Sequence, residues 1–200
     1  MSMRRSLDWY PTPAWATRVL LHRLPQLRGR VLECCSGKGD ISNALAERDA
    51  VSVIENDMDR QCASDFHLDA TDPRAWQRMN EHAGPFDWIV SNPPFSLAPK
   101  IVPLAQRYAV HGMAMLLRLS YLEPCLDRVD WLTDHDANGR VLVLPRISFT
   151  GNGKTDNVTA AWLIFGEVEH GWEVVSKAEA VSAERRIASV APLFAEEPAS

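Results

Sequence analysis

Short apolar runs of strand length alternate along this chain with segments of helical spacing, and several of those runs end at glycine or at an acid. Residues 31–35 (Val-Leu-Glu-Cys-Cys) run into the glycine turn Ser36-Gly37-Lys38-Gly39-Asp40, after which Ile41, Ala44 and Leu45 fall on one side of a helix. Residues 51–54 end in the acidic cluster Glu55-Asn56-Asp57, and a weaker element at 66–68 ends at Asp69. Trp88, Ile89 and Val90 close another buried run just before Asn92, and Leu97, Ile101, Leu104, Ala105 and Tyr108 follow at helical spacing. This order implies an α/β fold with a mostly parallel, doubly wound sheet, helices on both faces, and ligands gathered beyond the carboxyl ends of the strands.

The remaining elements fit the same scheme. Tyr10-Pro11-Thr12-Pro13 reads as a helix entry, with Thr12 as N-cap and Pro13 at the first helical position. Trp15, Val19 and Leu20 would face inward, and Gly29 would break that helix. A polar helix is expected around 76–82, a strand at 113–117, a helix at 122–132, and strands at 141–144 and 158–165. Beyond Trp172 the chain turns to Ala, Glu and Ser, so residues 1–175 are expected to form a single domain and 176–200 a weakly ordered tail.

With 200 residues and 46% hydrophobic content, the chain can bury one sizeable core. Its net charge of −5 excludes a globally basic nucleic-acid binder, so any such contact must use locally clustered cations. Cys34, Cys35, Cys62 and Cys125 form no CxxC pair, which argues against a structural metal or a disulfide framework. Arg4 and Arg5 precede no apolar leader, and no window approaches the ~18 apolar residues of a membrane span. A cytoplasmic protein without membrane contact is expected.

Asn92-Pro93-Pro94-Phe95 supplies the chemistry. Its prolines lack N–H donors and restrict the backbone, so carbonyl oxygens join the Asn92 side-chain oxygen as acceptors for a planar NH2 group. Phe95 offers a face on which a flat ring could stack. The tetrapeptide resembles the catalytic loop of the S-adenosylmethionine (SAM) dependent methyltransferases that modify exocyclic or amide nitrogens, chiefly N6 of adenine in DNA.

The resemblance extends from residue 9 to about 166, in an order of motifs used by one class of adenine methyltransferases. Glu33-Cys34-Cys35-Ser36-Gly37-Lys38-Gly39-Asp40 is similar to motif I of the class I enzymes, with Cys34 where the family often has Pro. That likeness implies Glu33 beside the SAM ammonium and Cys34, Ser36, Gly37 and Gly39 around its methionine end. Asp57 or Glu55 would accept the ribose hydroxyls; Asn56-Asp57-Met58-Asp59 resembles a stretch of small phage-type methylases, which favours Asp57 and packs Met58 on the adenine. Asp69 resembles the motif III acid that accepts from the adenine N6 of SAM, with Ala70 adding backbone contacts, although an N-cap for the helix at Asp72-Pro73 is the plainer alternative. Tyr10 and Thr12 match motif X, which closes over the methionine carboxylate, beside the capping role already given to Thr12.

By the same resemblance Asn92, Pro93, Pro94 and Phe95 are catalytic, Asn92 also meets the cofactor, and Phe149 in the segment 146–155 lies where motif VIII reaches the target base. Arg146 and Lys154, together with Lys100 and Arg118, are candidates for phosphate contacts. The leading expectation is a phage- or prophage-type DNA N6-adenine methyltransferase using SAM. The alternatives are the same chemistry on RNA or on a protein glutamine amide, and a non-catalytic SAM-fold binding protein. Carbon methylation of cytosine would need a Pro-Cys nucleophile, which this loop lacks.

Overall fold

The computed structural model of the protein describes residues 11–135, 139–147 and 159–185; Tyr10, Phe149 and Lys154 lie outside them. Its elements run α1 (Ala14–Arg23), β1 (Gly29–Glu33), α2 (Asp40–Leu45), β2 (Val51–Glu55), α3 (Pro73–Ala83), β3 (Phe86–Ser91), α4 (Ala98–Tyr108) and β4 (Ala109–Arg118). A 3-10 turn (Leu119–Leu122), α5 (Val129–His135), β5 (Gly139–Val143), β6 (Ala160–Gly166), β7 (Gly171–Val174) and α6 (Lys177–Arg185) follow.

The strands form one sheet in the order β2-β1-β3-β4-β6-β5-β7. Strands β2, β1, β3 and β4 are mutually parallel, β6 runs antiparallel to β4 and β5, and β7 pairs parallel with β5. The mostly parallel α/β sheet expected from the alternation of elements is therefore present.

Side-chain alternation divides the core into two layers. Along β6, Ala160, Trp162 and Ile164 pack under α1 and α2, while Ala161, Leu163 and Phe165 pack under α3 and α4. Strand β4 divides in the same way, with Ala114 and Leu116 on the first side and Met113, Met115 and Leu117 on the second. Trp76, Trp88 and Trp162 are each fully buried, contributing roughly 4–6 kcal/mol apiece of apolar transfer free energy. The indole of Trp162 donates to the Ala16 carbonyl at 2.9 Å, tying β6 to α1.

Three local expectations are corrected first. Pro13, not Thr12, is the N-cap residue of α1, and no side chain caps it. Gly29 opens β1 after the helix has ended at Arg23. Residues 66–68 make only a single bridge, Asn56 with Phe66, because the Asn56 side chain takes over the pairing there. It donates to the Leu68 carbonyl at 3.1 Å and accepts from the Leu68 N–H at 3.0 Å.

The helix expected over 122–132 begins only at Val129. Pro124 interrupts the backbone bonding, and the Arg128 guanidinium instead gathers the Tyr121 and Glu123 carbonyls at 2.8 and 3.2 Å.

The stretch assigned to a weakly ordered tail begins with α6, which docks on α1. Arg23 Nη2 lies 2.6 Å from Glu179 Oε1, and Arg18 Nη1 donates to the Ala183 carbonyl at 3.1 Å. Val175, just before the helix, and Ala180 within it are buried. Among the described residues no helix is long and apolar enough to cross a membrane.

Candidate active site

A cavity of about 400 Å³ opens beyond the carboxyl ends of β1, β2 and β3, walled by the residues that follow each strand and by Thr12 from the segment before α1. Glu33, Cys34, Ser36, Gly37, Asp57, Met58, Asp69, Ala70, Asn92 and Pro94 all line it. The structure thus brings together, from five separate stretches, most of the residues singled out in the sequence.

The turn after β1 lets backbone approach the cavity because two of its residues are glycines with positive φ, +53° at Gly37 and +79° at Gly39. Gly39 N–H donates to the Ser36 carbonyl at 2.8 Å and closes the turn into α2. Glu33, 1% exposed, sits under it and accepts a hydrogen bond from the Ser42 hydroxyl. Burial pushes its carboxyl well above the usual range, more than the Ser42 bond lowers it, and the Glu55 charge adds to the rise. Such an acid has strong reason to meet a cation.

Asp57 binds the first turn to the second strand end. Its Oδ2 accepts from Gly37 N–H at 2.7 Å and its Oδ1 from Asp59 N–H at 2.8 Å. A carboxylate has about four lone-pair sites, so these two bonds orient the group and leave capacity toward a ligand. Met58 stands 48% exposed at the cavity wall, an apolar surface in reach of a ring. Glu55, the other acid weighed for this role, is not part of the wall.

Asn56 is fully buried between these residues and donates to the Cys34 carbonyl at 2.9 Å as well as bonding Leu68, so it clamps the end of β1 to the segment before Asp69. Asp69 Oδ1 accepts from Thr71 N–H and Oγ1 at 2.8 and 2.7 Å. The N-cap of α3 is instead Asp72, accepting from Arg74 N–H at 2.9 Å. The Ala70 carbonyl accepts from the Trp76 indole at 2.8 Å, which leaves its N–H side for any backbone contact.

Asn92 follows β3 directly. Its Nδ2 donates to Thr12 Oγ1 at 3.0 Å, which makes Oδ1 the acceptor end of the amide. Pro94's carbonyl accepts from Leu97 and Ala98 N–H at 2.8 and 3.0 Å and starts α4. Asn92 lines the cavity, whereas Pro93, expected to offer its carbonyl there, is buried and is not part of the wall. Phe95 packs against both core layers outside the cavity wall, and Arg118 Cζ lies 4.7 Å from its ring centroid. Exposed Arg146 and Lys100 stand apart from the wall.

Several lining residues were not singled out as ligand contacts in the sequence. Leu97 and Ile101 reach the cavity from α4 at i, i+4 spacing, a signal that reads equally as core. Cys62 carries no sequence signal for its position, and neither does Ser42, which bonds Glu33 from behind the wall. The hydrogen bond with Cys34, and then burial, push the Cys35 thiol well above its usual range. Among the described residues no cluster of His, Cys, Asp and Glu is arranged to hold a metal.

No family model matches this chain, and no curated protein matches it either. Solved structures do. The type I restriction-modification methyltransferase subunit of Streptococcus thermophilus aligns with a TM-score of 0.63 at 12% identity, over 92% of this chain and 54% of that one. A Listeria monocytogenes protein assigned to the class I SAM-dependent methyltransferases aligns at 0.58 and 14%, over 88% and 68%. A Pyrococcus horikoshii protein assigned as an RNA methyltransferase aligns at 0.58 and 17%, over 84% and 94%. This chain spans about half the length of the Streptococcus subunit. With the sheet, the cavity at its strand ends and these similarities together, the chain has the class I SAM-dependent methyltransferase fold.

Proposed function

We propose that this protein transfers the methyl group of SAM to an exocyclic amine of a nucleic-acid base, with N6 of adenine in DNA as the leading target. The observation that carries the proposal is Asn92, which lines the same cavity as Glu33 and Asp57 with its amide nitrogen held by Thr12. That arrangement puts an amine acceptor beside a cofactor-sized space.

The residues fit SAM. A cavity of about 400 Å³ falls within the ~300–1,000 Å³ common for small ligands. Glu33 would receive the ammonium, Asp57 the ribose hydroxyls, Met58 a face of the adenine and Asp69 its N6. The turn of Ser36, Gly37 and Gly39, with Cys34, would enclose the methionine end, and Thr12 and Tyr10 would close over it. When bound, SAM supplies a methyl made electrophilic by its sulfonium.

The protein's own part is placement. Asn92 Oδ1 accepts a hydrogen of the target amine, which draws its nitrogen toward tetrahedral geometry and turns its lone pair to the methyl. No strong base is needed, because the proton can leave after transfer. A fixed acceptor and fixed approach supply the rate effect. A duplex base must be flipped from its stack to reach this loop, with Phe95 as the surface that receives it. Arg146 and Lys154 would meet the flanking phosphates, and Phe149 the other side of the base.

DNA is preferred because the Streptococcus neighbour is a methyltransferase subunit of a restriction-modification system; the Pyrococcus neighbour keeps RNA in view. Labelled SAM should be incubated with unmethylated duplex DNA, single-stranded DNA and RNA, followed by nucleoside analysis. Label in N6-methyladenosine of RNA alone would redirect the target, and SAM binding without transfer to any of them would end the nucleic-acid reading.

A further inference from the structure

Resting on the amine-methyltransferase reading, we propose that Arg118 guards the stacking face of Phe95 and, when a base arrives, exchanges that face for a phosphate of the target strand. The geometry that points to it is the guanidinium seated over the ring, Cζ 4.7 Å from the centroid. A planar base sandwiched between two groups needs about 7 Å, twice a carbon–carbon contact. No base enters between Phe95 and Arg118 while the pair is intact.

The surroundings make Arg118 the partner that moves. Phe95 leans on buried residues of both core layers and begins the turn into α4, where the Pro94 carbonyl is held by Leu97 and Ala98 N–H. Arg118 is exposed at the last position of β4, just before the 3-10 turn, and its backbone is fixed by pairing with Ala160. Its side chain can swing while its root stays in place.

The physical chemistry favours exchange. A guanidinium over a ring in water is a weak contact, whereas a base on an aromatic face and a guanidinium on a phosphate are both stronger. Arg118 lies one strand away from Asn92, at the same end of the sheet. It is therefore a positioning residue for the nucleic acid, outside the cofactor cavity.

The test uses the full chain with a single-stranded oligodeoxynucleotide carrying 2-aminopurine in place of adenine, in SAM-saturated buffer. Arg118→Ala should weaken binding roughly three- to tenfold and reduce the slope of log K against log salt by about 0.7, the loss of one phosphate contact on a single strand. Arg118→Lys, which keeps the charge without the planar stack, should keep the salt slope. Both variants should keep wild-type SAM affinity, which shows an intact cavity. Phe95→Leu should instead abolish the 2-aminopurine quenching and leave the salt slope unchanged.

Unchanged affinity and salt slope in Arg118→Ala, or tighter binding, would overturn the exchange and leave Arg118 a simple cover. Failure of the underlying reading is separate. It shows in the wild type, as SAM binding without methyl transfer to DNA or RNA, and the proposal falls with it.

Discussion

Replacing Glu33 by Gln tests the cofactor site through proton linkage. The carboxyl is 1% exposed, and burial raises its pKa well above the usual range. Between the usual value and the raised one, the folded protein holds a proton that the unfolded chain has released. Stability falls as pH rises from the usual carboxylate range to the raised value, by up to about 1.4 kcal/mol per pH unit, and is level above it.

An ammonium beside Glu33 needs the ionised form, so binding SAM should release up to one proton. Apparent affinity should then improve about tenfold for each pH unit gained across that same window. Glu33→Gln should lose the stability slope, gain stability in the ligand-free state above the window, and release fewer protons on binding. It should also bind SAM roughly 10- to 100-fold more weakly, the loss of one charge-assisted hydrogen bond. Urea unfolding across pH, with calorimetry in two buffers of different ionisation enthalpy, reads all of these. A variant that kept both the stability slope and the wild-type SAM affinity would refute the reasoning.

Three other substitutions probe the frame of the site. Thr12→Val removes the bond that orients Asn92, worth about 1 kcal/mol or somewhat more when the part-buried amide loses its acceptor, so kcat should drop roughly 5- to 30-fold with little change in SAM affinity. Thr12→Ser should restore it. Gly39→Ala forces a β-carbon into a φ of +79° and within 3.2 Å of Glu55 Oε1. That should cost about 1–2 kcal/mol and lower the melting temperature by roughly 2–8 °C in a calorimetric scan. Asn56→Leu strands the Cys34 and Leu68 backbone groups it satisfies, and urea titration should show a loss of about 3 kcal/mol together with weaker SAM binding.

What the sequence disclosed was local in origin. The strands appear where apolar runs end at glycine, acid or Asn-Pro, and the residues that line the cavity at 33–37, 57–58 and 69–70, with Asn92 and Pro94, lie at or just after the end of each run. Contacts between distant segments were not legible. Thr12 was given a capping role because Thr-Pro often starts a helix, yet its hydroxyl serves Asn92, eighty positions away. Helix α6 could not be read from the sequence because Ala, Glu and Ser carry little apolar signal, and what holds it is Arg18 and Arg23 of α1. Residues 66–68 lost their place as a strand to a single buried side chain, Asn56. The Arg118–Phe95 stack joins two strand ends that no local pattern connects.

The central claim is that the Asn92 loop presents a base amine to SAM. The most direct measurement is mass-resolved nucleoside analysis of unmethylated DNA after incubation with SAM, comparing wild type with Asn92→Ala of equal SAM affinity. The account predicts N6-methyladenine with the wild type and a loss of at least about 100-fold in kcat with the variant, the scale of removing one preorganised hydrogen-bonding group. N6-methyladenine formed equally well by both proteins would contradict it.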